Sequence, residues 1–510
     1  MRLIQFSKKL LFVPVAAGAL LCSCMEATEG ESEKNTLTVD PESSFTYNIN
    51  GNVNFFDSTE QEDSEYDEKE FKNEITIQFN GDEKPTYEYN GVSEDEVTIT
   101  SYEDRGPAHL IIKAEKKVNY ILKGSSESGS LLIFSEKKFK LTLDNLNLSN
   151  DSGLPAICSQ TKKRCFIETK GTATIKDGEG NNGYSLGSEY VKVKIGEEVE
   201  YYDAKGAIFS EGELIFCGDE NSTLNIEGRN KHAIASDQYV RINEGANVNI
   251  TGSKKDGIHT NDAVLIYGGE LNIENVGKIC ELNPNNKSNK MNGIQCEKGY
   301  IVIKGGKINI TSPGVGICAD KEEFNKSDIM TEKSFIYIAG GEINIQTDDL
   351  KGHGISSKSH LIISGDAKIN IAAEGDGAKG IETDGNEDFT TGNELEYGDI
   401  VLAGGTVNIF SKDSVVDPSG KLNIVGGTLN AIGGSCFNRD QVEKGSKPCG
   451  IAGFDEAMRA GEEITVAGNK ISTLRADLTT AKVVLINDTL KAGDEVEVTV
   501  GSQTAKAKVE

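Results

Sequence analysis

Six times between Val264 and Ala431 the chain writes nearly one phrase, two short strand-forming runs hinged on glycine. The copies are "VLIYGGELNI" from Val264, "IVIKGGKINI" from Ile301, "IYIAGGEINI" from Ile336, "LIISGDAKINI" from Leu361, "DIVLAGGTVNIFS" from Asp399 and "LNIVGGTLNA" from Leu422. A unit this short cannot bury its own apolar face and must stack on its copies. Within each copy apolar and polar residues alternate with period two, which is strand spacing, and the glycine pairs would break a helix.

The second run centres on an asparagine between apolar neighbours: Asn225, Asn249, Asn272, Asn309, Asn344, Asn370, Asn408 and Asn430. Their intervals are 24, 23, 37, 35, 26, 38 and 22 residues, so the basic coil has 22 to 26 residues and three coils carry roughly a dozen more. Three strands and three turns fit that length. The expected fold is all-β, a right-handed parallel β-helix, with 56 glycines and 9 prolines suiting many tight corners.

A third run aligns on an isoleucine, taken as position zero: Ile208, Ile234, Ile258, Ile294, Ile317, Ile355 and Ile381. The preceding residue is always Ala or Gly. Position +2 is small and shares the inward face, so Ser210, Ser236 and Thr260 read as core rather than nucleophiles. Position +3 points outward and holds Glu211, Asp237, Asn261, Glu297, Asp320, Lys358 and Asp384. Neighbouring strands lie about 4.8 Å apart, so this file of carboxylates is repulsive unless offset. Water, salt and backbone N–H groups could offset it. Calcium is the sharper reading, since the ion takes six to eight oxygens. Candidate ligands are Asp256, Asn261 and Asp262 in "KKDGIHTND", Asp320, and Asp376, Glu382, Asp384 and Asn386 in "EGDGAKGIETDGNED".

Three insertions, "GKICELNPNNKSNKMN", "DKEEFNKSDIMTEKS" and "DGNEDFTTGNELEYG", leave at adjacent corners and could wall a groove. At the start, Arg2, Lys8 and Lys9 precede "LLFVPVAAGALLCSC", an export signal too short to span a bilayer. Leu21-Cys22-Ser23-Cys24 resembles the bacterial lipobox, which implies cleavage before Cys24 and lipidation of it; an ordinary cleaved signal is the alternative. The expected divisions are 1–24 signal, 25–72 acidic tether and extension, 73–454 β-helix and 455–510 C-terminal β cap or small domain. Residues 25–42 read as disordered and "DSTEQEDSEYDEKE" as an exposed insertion. Cys158 with Cys165, Cys280 with Cys296, and Cys436 with Cys449 are near enough in sequence to pair.

The succession "GLPAICSQ…GTATIKDG…AKGAIFSEGEL…HAIASDQYVRI…DGIHTNDAVLIYGGELNI…GGTVNI" resembles the bacterial exported carbohydrate-binding β-helix family, of the clostridial cellulose- and polygalacturonate-binding type, from about Asn73 to Ala452. The resemblance implies a pectate-lyase-like helix, surface calcium, and plant cell-wall polysaccharide as ligand. Asp256 and His259 of "DGIH", and Glu382 and Asp384 of "GIETDGN", match its acidic coil ends.

A formal charge of -28 disfavours nucleic acid. It also repels a uronate polymer unless a divalent ion bridges the two. Asp237, His259 and Glu297, on or beside the acid file, are the candidate carbohydrate contacts, with Tyr267 as a stacking ring in a chain without tryptophan. A lyase on the same scaffold needs a metal and a Lys or Arg base. Lys358 and Lys379 are placed for that but read as charge-balancing, and no histidine stands at triad spacing. The expectation is therefore an envelope-anchored, extracytoplasmic carbohydrate binder, with a calcium-dependent lyase or a structural adhesin as alternatives.

Overall fold

The computed structural model describes residues 35–38, 43–47, 53–57, 63, 70–102, 105–151, 155–178, 190–195, 198–274, 276–277, 291–320, 334–385 and 398–510. Almost every described element is a strand. The glycine pairs make the corners: Gly306 and Gly341 adopt φ of 92° and 91°, a left-handed backbone that costs glycine little. The first four phrases thereby become strand, corner, strand, as in Tyr300–Ile303 followed by Lys307–Ser312, while the last two run through their glycines as the single strands Ile400–Ser414 and Leu422–Ser435.

Each strand pairs in parallel with its counterpart one repeat on. The first runs stack Ala263–Ile266 on Tyr300–Ile303 on Ile336–Ile338 on Leu361–Ile363. The second runs align all eight asparagines in register from Asn225 to Asn430. Each Nδ2 donates to the preceding Oδ1, at 3.2, 2.8, 2.7, 2.9, 2.9, 2.9 and 3.1 Å. The seven third runs belong to a separate sheet of twelve strands. Antiparallel pairs occur towards both ends, between Val97–Tyr102 and Gly106–Ala114 and among the C-terminal strands, so the all-β architecture is built of large mixed sheets.

The isoleucine file is in register and at most 2% exposed. The small residue before it has a packing reason. A Cβ on Gly354 would lie 2.4 Å from Cγ2 of Ile371, and one on Gly380 would lie 2.3 Å from Cγ2 of Ile409. Position +2 is buried throughout and position +3 faces out.

Three expectations change. Asn35–Thr38, inside the segment read as disordered, pairs with Ser43–Tyr47, which pairs with Val53–Asp57. Asp63, in the run read as an exposed insertion, is fully buried, 3.0 Å from Arg164 and accepting from the Tyr239 hydroxyl at 2.5 Å. Those two partners compensate a carboxylate that composition assigns to solvent. Cys158, Cys165, Cys296, Cys436 and Cys449 are free thiols, and Cys280 lies outside the described residues. Burial pushes the Cys158 thiol up to about 12.

Beyond the repeats, the C-terminal strands have a core of their own, including Phe454, Ile464 and Val498. Ala481–Ile486 also pairs antiparallel with the last repeat strand, Leu422–Ser435. The end of the sheet is thus covered by a small β unit rather than left as an open edge.

Candidate functional site

Three files of the third sheet meet in a charged cleft of about 650 Å³. Position +3 supplies Asp320, Lys358 and Asp384, and position +1 supplies Ser356 and Glu382. Position -2, ahead of the strand where alternation no longer governs direction, supplies His353 and Lys379.

Glu382, mostly buried, accepts from Ser356 Oγ at 2.9 Å and lies 3.2 Å from His353 Nε2 and 2.8 Å from Lys379 Nζ. Lys379 also reaches Asp417 at 2.5 Å. Lys358 lies between two acids of its file, 3.8 Å from Asp320 and 2.5 Å from Asp384. One repulsion posed by the sequence is therefore offset by an ammonium within the file itself. Farther back, Lys205 does the same for Asp203 at 3.0 Å and Asp237 at 2.7 Å. Burial draws the Lys205 pKa down, but hydrogen bonds to Asp237 and Asp203 hold it above the usual lysine range.

The remaining candidates are dispersed. Asn261 donates to Asp237 at 3.3 Å. Asp262 is exposed, and Asp376, at 81% side-chain exposure, pairs with Lys412 at 3.1 Å. Two cations, Arg241 at 4.1 Å and Lys304 at 4.5 Å, lie over the Tyr267 ring. Asp256 faces two imidazoles, His232 and His259, and His259 Nε2 lies 4.0 Å from Glu297. Asn386, Cys24 and most of the three insertions lie outside the described residues.

A second cleft, of about 530 Å³, runs between the asparagine ladder at Asn344, Asn370 and Asn408 and the C-terminal residues Ile471, Thr473 and Arg475. Ile471 is 40% exposed there.

The sequence offered no histidine at triad spacing, and His232 and His353 were not among its candidate site residues. Their signal was available: both stand at position -2, where Asp256 and Lys379 also stand. That this file turns toward position +1 is a property of the corner, which period-two spacing does not describe.

A family model described as carbohydrate-binding domain-containing protein matches residues 108–351 and 323–508, a span that takes in both clefts. The chain belongs to that family. Within this carbohydrate-binding family member, the matched span runs from the strand Gly106–Ala114 into the last C-terminal strand, Gln503–Val509. No curated protein matches the chain. A solved structure described as the polysaccharide lyase-like protein from C. thermocellum, gadolinium derivative, is 17% identical with a TM-score of 0.33, covering 68% of this chain and 99% of that one. No helix among the described residues is long and apolar enough to cross a membrane.

Proposed function

We propose that this chain is a carbohydrate-binding lipoprotein of the cell envelope, anchored through Cys24, whose repeats wind as a right-handed parallel β-helix and hold an acidic or plant cell-wall polysaccharide in the charged cleft. The observation that carries the reading is the convergence of three files into one cleft in which acids and lysines alternate. Sugar hydroxyls both donate and accept, and carboxylates beside ammonium groups offer both functions at fixed spacing. A uronate carboxylate would exchange onto Lys358 or Lys379.

Calcium enters this reading as a competitor of lysine. Asp320 and Asp384 are the oxygen donors placed for it, and the ion would have to displace Lys358, which now holds both. Its chemistry there would be to bridge protein and polymer carboxylates.

The second cleft supports an alternative seat, since amides of the ladder beside the aliphatic Ile471 suit a neutral glycan. Affinity electrophoresis through polygalacturonate and through a soluble cellulose derivative separates the two. Retardation lost in Lys358→Ala and Glu382→Gln but kept in Ile471→Ser supports the charged cleft. The reverse pattern moves the site to the ladder, and no retardation in either gel removes the binding reading. Calcium uptake by calorimetry, weakened by Asp384→Ala, tests the ion. Fatty-acid labelling lost in Cys24→Ala tests the anchor.

A further inference from the structure

His232, Asp256 and His259, none of which lines the charged cleft, bring three ligand-type side chains together. Asp256 Oδ2 lies 3.3 Å from Nδ1 of His232 and 3.0 Å from Nδ1 of His259. One ligand atom from each residue falls within 4.8 Å of the others. The imidazoles come from neighbouring repeats and stack, with centroids 4.2 Å apart and 23° between the planes.

His232 is the telling member. It is 2% exposed, and neither of its ring nitrogens has a hydrogen-bond partner. An unsatisfied buried polar atom costs about 1–3 kcal/mol, so native folds leave few of them without a reason. The surroundings are ordered toward the same point. Oδ1 of Asp256 accepts the Asn292 N–H at 2.8 Å, which fixes the carboxylate with Oδ2 toward the rings. Glu297 stands 4.0 Å from Nε2 of His259, where an outer carboxylate orients a ligating imidazole.

From this geometry we propose that His232, Asp256 and His259 form a binding site for a borderline divalent transition-metal ion of the zinc class, joining two neighbouring repeats. A tetrahedral ion with bonds of about 2.1 Å holds its ligand atoms about 3.4 Å apart. The separations from Asp256 Oδ2, 3.0 and 3.3 Å, are close to that before any ion draws the groups together. Two imidazole nitrogens and one oxygen do not suit calcium, which takes oxygens alone. The His259 side chain is 15% exposed and provides the route of entry.

The test is calorimetric titration of chelator-treated full-length protein with Zn²⁺ alone, with Ca²⁺ as the comparison. One zinc per chain is expected, bound at least tenfold more weakly in His259→Ala and in Asp256→Asn, and about tenfold more weakly in Glu297→Gln. His232→Ala could fail to fold, so the partly exposed His259 carries the test. Zinc should raise the melting temperature of the wild-type chain but not of His259→Ala, and Co²⁺ should give ligand-field bands without thiolate charge transfer. No uptake by the folded wild type, uptake unchanged in both variants, Ca²⁺ bound as tightly and weakened alike in His259→Ala, or a thiolate cobalt spectrum pointing to the cysteines would each overturn the proposal.

Discussion

The backbone N–H of Lys379 donates to Nδ1 of His353 at 3.0 Å. A neutral ring that accepts at Nδ1 carries its proton on Nε2, which lies 3.2 Å from Glu382. One corner of the backbone therefore sets the tautomer of the preceding repeat's histidine and aims it at the buried acid of the cleft. Lys379 completes the arrangement. Burial alone would lower its pKa, but hydrogen bonds to Asp417 and Glu382 hold it above the ordinary lysine range.

A lysine held charged has no lone pair with which to remove an α-proton. Incubation with polygalacturonate between pH 6 and 9 is accordingly expected to give no new ultraviolet absorbance from unsaturated uronate. An absorbance rise that Lys379→Met abolishes would reinstate the lyase. In binding, the same substitution should weaken polygalacturonate retention about tenfold, the loss of one charge-assisted hydrogen bond.

Asn344 donates to Asn309 and accepts from Asn370, so Asn344→Ala removes two rungs of the ladder. The expected loss is about 1–3 kcal/mol, read from urea unfolding. Asn344→Asp should cost more at neutral pH, because its carboxylate faces the Asn309 carbonyl oxygen. The difference between the two variants should shrink below roughly pH 4, where the acid is protonated.

Gly354 has no room for a methyl group. Its Cβ would meet Cγ2 of Ile371 at 2.4 Å and the carbonyl oxygen of Gly380 at 2.5 Å. Gly354→Ala should therefore destabilise by about 1–3 kcal/mol through overpacking. Gly445→Ala, with nothing within 4 Å but φ of 89°, should act only through its backbone. If both variants melt alike, steric contact is not what keeps the position before the isoleucine small.

Stability should pass through a maximum near roughly pH 6.5. Burial holds His109 and His360 down to about 4, and His232 well below its ordinary value. As pH falls from 6.5 toward 4, the unfolded chain takes up protons that these native imidazoles refuse, and stability is lost. For one such group the loss is roughly 3 kcal/mol. Asp177 acts in the opposite sense: burial raises it to about 8, so its contribution is lost as pH rises from 4 toward 8. Melting curves from pH 4.5 to 8.5 should show the maximum, and His360→Asn should flatten the acid limb. A midpoint independent of pH would contradict the burial of these groups.

The sequence by itself determined the period of the repeat, the inward isoleucine file, the small residues beside it and the outward file that ends in Asp384. Each follows from alternation along a strand and from the impossibility of burying one repeat alone, which are local rules. The asparagine column was legible as a column. Its seven side-chain hydrogen bonds depended on a register that only stacking sets.

Tertiary structure alone decided which acids keep company with which bases. Lys358 stands 26 residues from Asp384 and 38 from Asp320, yet the stacking of repeats places it within 4 Å of both. Asp63 met Arg164 and Tyr239 across the fold, and His232, the first residue of its strand, stacked on His259 of the neighbouring repeat. Side-chain period is a property of the strand and can be read from sequence. The direction of a corner residue depends on the repeat stacked beside it, so charge pairing and the grouping of His232 with Asp256 and His259 appeared only when the repeats were brought together.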